Sequence, residues 1–176
     1  MKKKLIFSII ILTTITTISF LAKSQSPNSS DSINLSAFDM EPTGNGYSSS
    51  NTVLLSESAF ITRFGAPSSS STDYSEVDEA NMNHYIYSGA QAWFMDNRLQ
   101  ALEFTSPDYN LVMSNGNSVK VGDPVSTLAS MFPNSWAGRT LNQAFVALQN
   151  SQGQIDTNLL FEFDPNTGLI TTISIQ

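Results

Sequence analysis

Arg98-Leu99-Gln100-Ala101-Leu102-Glu103-Phe104 and Leu169-Ile170-Thr171-Thr172-Ile173-Ser174-Ile175 line up without a gap. Just upstream, Phe94-Met95-Asp96 and Glu162-Phe163-Asp164 occupy equivalent places. Both seven-residue runs are strand-like, and each closes a larger pattern. In the first half, strands are expected over 83–88, 91–96 and 98–105, split at Ser88-Gly89 and Asp96-Asn97. In the second half, 143–149, 157–164 and 169–175 play the same parts. Their turns are Asn150-Ser151-Gln152-Gly153 and Asp164-Pro165-Asn166-Thr167-Gly168.

A short helix precedes each set of strands. Ser56 is positioned to cap a helix running to Phe64, which Gly65-Ala66-Pro67 stops. Downstream, Asp123 caps, Pro124 takes the first helical position, and Pro133 terminates. Phe60 and Phe64 correspond to Leu128 and Phe132, an i, i+4 apolar pair in each helix. The expectation is α+β, with two tandem α-β-β-β units over 53–106 and 107–176. Neither unit of about 55 residues readily buries a helix and a sheet face alone. Joined, they make one antiparallel sheet with both helices on one face and the other face open to water. Residues 25–52, rich in Ser, Asn and Gly, read as a flexible lead-in. Within them, Ile33-Asn34-Leu35-Ser36-Ala37 alternates and is either a short strand or a docking segment.

The chain has 176 residues, no cysteine and one histidine. Met1-Lys2-Lys3-Lys4, an apolar run from Leu5 to Leu21, and Ala22-Lys23-Ser24 read as a signal peptide cleaved after Ser24. The run is too rich in Ser and Thr for a membrane span. With no cysteine to acylate, the expected product is exported, periplasmic or extracellular, and not lipid-anchored. Cleavage leaves Arg63, Arg98, Lys120 and Arg139 against 15 acidic residues, moving the net charge from −7 to −11. Such a surface disfavours nucleic acid and anionic membranes and attracts basic partners or divalent cations.

The stretch Lys120-Val121-Gly122-Asp123 to Phe132-Pro133, followed by Leu159-Leu160-Phe161-Glu162-Phe163-Asp164 to Ile175, carries a family resemblance. It resembles the small exported domains grouped with beta-lactamase inhibitor proteins and the SmpA/OmlA-type outer-membrane assembly lipoproteins. Phe64-Gly65-Ala66-Pro67 fits the same grammar, so the resemblance spans about residues 54–176. The tandem arrangement is closer to the inhibitor proteins, and it implies two helix-plus-sheet units that bind an enzyme across a concave sheet. The chain lacks both the lipoprotein cysteine and the inhibitors' disulfides, so the resemblance carries the fold and not the target.

The residues argue against an enzyme. His84 stands alone, without cysteine or a Gly-x-Ser-x-Gly elbow, and reads as a surface or strand-edge residue. Asp73-Tyr74-Ser75-Glu76-Val77-Asp78-Glu79 lacks EF-hand spacing and reads as a solvated acidic loop, so no metal and no cofactor is expected. Glu162 and Asp164 read as a solvent-facing side chain and the opener of a turn, not as an acid/base pair. Candidate partner-binding residues are Tyr74, Tyr85, Tyr87, Trp93 and Trp136. Tyr85 and Tyr87 share a strand face and Trp93 lies on the paired strand, where an open platform and a core position both fit the periodicity. Trp136 is expected in an exposed loop. These readings point to an exported, non-enzymatic protein-binding module. An envelope-assembly accessory factor is the rival, and a small-ligand binder a lesser option.

Overall fold

The computed structural model describes residues 30–176 except Val77, so the leader expected at 1–24 lies outside the described residues. The fold is α+β, with few helices and two sheets. In chain order the strands are β1 (Ser32–Asn34), β2 (Phe38–Pro42), β3 (Ser69–Ser75), β4 (Ala80–Tyr87), β5 (Ala90–Met95) and β6 (Arg98–Phe104). There follow β7 (Tyr109–Met113), β8 (Ser118–Lys120), β9 (Gln143–Asn150), β10 (Gly153–Phe163) and β11 (Ile170–Ile175). The helices are α1 (Glu57–Phe64), α2 (Leu128–Met131) and α3 (Pro133–Ala137). Eight strands form one sheet in the order β1-β9-β10-β11-β6-β5-β4-β3, and β2-β7-β8 form a second.

The large sheet is mixed and not purely antiparallel, because β1 runs parallel to β9. Turn chemistry sets the register of its hairpins. Gly89 turns β4 into β5 at φ +77°, and a Cβ there would lie 2.1 Å from the Ser106 Cβ, so only glycine fits. Asp96 and Asn97 turn β5 into β6 at φ 50° and 63°, as a two-residue hairpin requires. β6 and β11 join the two sets of strands, with Phe104 opposite Ile173, Glu103 opposite Ser174 and Leu102 opposite Ile175.

Alternation sorts this sheet into two faces. Ala92, Phe94, Leu102, Phe104, Ile173, Phe161 and Val146 belong to the apolar core. Phe60 of α1 joins them, its ring 5.2 Å from Phe94, and Phe132 after α2 lies 5.9 Å from Phe161. The Ser56 hydroxyl accepts from the Ala59 N–H at 3.3 Å, and Gly65 ends α1 at φ +86°. The second helical segment departs from expectation. A 3-10 turn (Val125–Thr127) precedes α2, and Pro133 both stops α2 and begins α3. Asp123 provides no cap there; its Oδ2 accepts from the Lys120 N–H at 2.9 Å.

The expected flexible lead-in 25–52 is instead built into the fold from Ser32 onward. Ile33, Leu35, Phe38 and Met40 are buried in the core, and β2 pairs along its full length with β7. Ile33 and Leu35 belong to the alternating piece 33–37, which begins in the strand β1, whereas polar neighbours hid Phe38 and Met40. Within 109–120, assigned to the second unit, β7 pairs with β2 and β8 with β7, and neither pairs with the strands after α3.

Candidate functional site

The face of the large sheet turned away from the core carries a polar chain across several strands. The Asp73 Oδ2 on β3 lies 2.9 Å from the His84 Nδ1 on β4. The His84 Nε2 is 2.9 Å from the Gln91 Oε1 on β5, and the Gln91 amide nitrogen donates to the Glu103 Oε1 on β6 at 3.4 Å. Farther along, the Gln143 amide nitrogen on β9 donates to the Glu162 Oε1 on β10 at 2.9 Å. Trp93 stacks on His84 with ring centroids 4.5 Å apart and planes 13° from parallel. This large aromatic surface is held in place by its directly opposite neighbour on β4.

Glu103 and Glu162 sit diagonally across β11, opposite Ser174 and Thr172 respectively. Between them, Ser174 and Leu160 pair side by side at 7% and 4% exposure although neither belongs to the core cluster. Burial pushes the Glu103 carboxyl above the usual carboxylate range, and repulsion from Glu162 adds to it. Among the described residues neither carboxylate forms a salt bridge. Arg98 opens β6 opposite Met95, at the far end of the strand from Glu103.

The five candidate residues do not share one surface. Tyr85 and Tyr87 are on the core side of β4, and the sheet separates them from Trp93, because Tyr85 pairs with Ala92 while His84 pairs with Trp93. The Tyr85 hydroxyl donates to the Glu57 Oε1, which also accepts from the Asn83 amide at 3.0 Å, and that bond drives the phenol up to about 12. Tyr87 is buried with its hydroxyl unpartnered, and burial pushes it up to about 12 as well. These two tyrosines tie α1 to the sheet, so they are not a platform. Tyr74 is 62% exposed, but on the edge strand β3. Trp136 is not in an exposed loop: it lies in α3, half-buried against the core, with the Arg139 guanidinium 3.5 Å over its ring.

The acidic stretch 73–79 is also partly strand, and Asp73 is spent on His84. His84 is therefore a mid-strand, half-buried member of the polar chain. Asp164 does open its turn: its Oδ1 accepts from the Asn166 N–H at 2.8 Å, which lowers its pKa. Glu103, Gln91, Gln143 and Ser174 had no motif to mark them. The available signal was alternation, since Gln91 falls between the buried Ala90 and Ala92, and Glu103 between the buried Leu102 and Phe104. Among the described residues, no group of three or more His, Cys, Asp or Glu side chains is arranged to hold a metal ion. No protein-family model, no curated protein and no solved structure matches this chain.

Proposed function

We propose that the chain is an exported, non-enzymatic protein-binding module that receives its partner on the outer face of the large sheet. The observation that carries this reading is the Trp93–His84 stack on the same sheet face as Glu103 and Glu162, carboxylates with no cation partner among the described residues. A rigid aromatic sharing a face with half-buried acids that lack a cation favours a protein that brings a lysine or arginine to those acids. The strongly acidic mature chain would speed the approach of such a basic surface.

The tandem α-β-β-β architecture, with helices on one face, belongs to this proposal. Its support is a symmetry at the centre of the sheet. The alignment that places Arg98–Phe104 on Leu169–Ile175 makes Glu103 and Ser174 equivalent, and these two are direct partners across β6 and β11. A local two-fold axis brings equivalent residues together in this way. The resemblance to the inhibitor-protein group is consistent with such a scaffold.

The test is affinity capture from envelope and secreted fractions with the mature protein from Gln25, run beside Trp93→Ala and the double variant Glu103→Gln/Glu162→Gln. The expected result is a basic protein recovered at near-equal stoichiometry and lost with either variant. Outer-membrane assembly components in the eluate would favour the accessory-factor reading. Retention of the same partner by both variants would remove this face from the proposal.

A further inference from the structure

The smaller sheet buries more negative charge than positive. Asp39 and Glu41 project from the same face of β2 and are 0% and 2% exposed. Arg63, in the last turn of α1, places its Nη1 3.2 Å from the Asp39 Oδ2 and 3.0 Å from the Glu41 Oε1. Asp39 is well supplied with donors. Its Oδ1 accepts from the Met40 N–H at 2.9 Å and the Thr52 N–H at 2.7 Å. Glu41 has no backbone donor among the described bonds. Opposite it on β7 stands Asn110, 9% exposed, with its Oδ1 unpartnered.

The other charged or titratable groups around Glu41 do not rebalance it. Lys120 on β8 shares the face beyond Asn110 but forms no salt bridge among the described residues. Asp108 accepts from the Ser106 hydroxyl, Asp123 from the Lys120 N–H, and Tyr47 donates to the Ser36 carbonyl. Two buried anions therefore share one guanidinium. An uncompensated buried carboxylate takes up a proton instead of remaining charged.

We infer that Asp39, Glu41 and Arg63 form a proton-loaded clamp, in which a proton on Glu41 seats the segment from β2 to the 3-10 turn (Thr52–Leu54) against α1. The same patch gathers the segment's other anchors: the Asn51 amide donates to the Phe38 carbonyl at 2.8 Å, and Arg63 donates to the Thr52 hydroxyl at 2.8 Å. Burial first, then the hydrogen bond and charge of Asp39, push the Glu41 carboxyl from 4.5 up to about 7, outweighing the lowering by Arg63 and Asn45. A raised acid holds its proton in the folded state, so the clamp is fully closed below pH 4.5 and weakens as pH rises through about 7.

The test is a carbon-13 NMR titration of the side-chain carboxyls in the unsubstituted protein, with amide exchange at Thr52 and Val53 measured on the same samples. Glu41 is expected to titrate near 7. Protection at these two amides, corrected for intrinsic exchange, should fall about tenfold or more between roughly pH 5 and pH 8. Glu41→Gln, which mimics the protonated acid, should hold its protection constant over that range. A Glu41 midpoint near 4.5 would overturn the inference. So would a midpoint near 7 with unchanged protection, or the same loss of protection in Glu41→Gln. Because the titration needs no substitution, a variant that fails to fold leaves it intact.

Discussion

Two pairs of carboxylates, Asp39/Glu41 and Glu103/Glu162, put the same chemistry in opposite settings. The first pair is enclosed between β2 and α1 and shares Arg63. The second lies on a sheet face with amide donors and no guanidinium. Burial decides what each does. An enclosed carboxylate must be matched from within the fold, by a cation, a donor or a proton. A carboxylate at the water boundary can stay partly unmatched and accept a charge from outside. The interior pair is accordingly matched within the fold, while the face pair is the one the proposed partner would meet.

The largest break in this comparison comes from Arg63→Met. It leaves two buried carboxylates without their cation, and at about pH 8 should cost ~3–5 kcal/mol in urea unfolding. The loss should be smaller at about pH 5, where Glu41 holds its proton. Equal losses at both values would show that the interior pair is not coupled to a proton.

Gly89→Ala tests the scaffold under the face pair. A left-handed φ and overlap with Ser106 together predict a loss of ~2–4 kcal/mol in thermal or urea unfolding. A near-neutral result would mean that the β4–β5 turn does not set the register of the outer face.

Glu103→Gln sharpens the contrast with Glu41. A raised carboxyl contributes stability present below its unfolded value and lost as pH rises through the folded one. The glutamine should remove that loss and stabilise the protein above the carboxylate range. Because the group is only half-buried, solvent screening keeps the gain under about 1 kcal/mol. Parallel stability–pH curves for variant and parent would show Glu103 to be solvated like a surface acid.

The smallest effect on folding is expected from Trp93→Ala, within about 1 kcal/mol, since the ring's contact is a cross-strand stack outside the core. Partner capture should nevertheless fall. A large loss of stability with capture intact would make the Trp93 stack a structural element.

The amino-acid sequence by itself determined the short-range features. Ser56 and Gly65 bound α1, Asp164 opens its turn, and Gly89 and Asp96-Asn97 turn their hairpins, because each feature depends on residues a few positions apart. The central strands were legible for the same reason, through alternation over six to eight residues. Only the tertiary structure decided where long-range partners lie. It joined β2 to β7 across about 70 residues and placed Arg63 between Asp39 and Glu41. It also put Tyr85 and Trp93 on opposite faces although their strands are neighbours. Period-two alternation tells which residues share a face of one strand. It does not say which side meets the core or how two strands are registered, and a one-residue shift in register exchanges the faces.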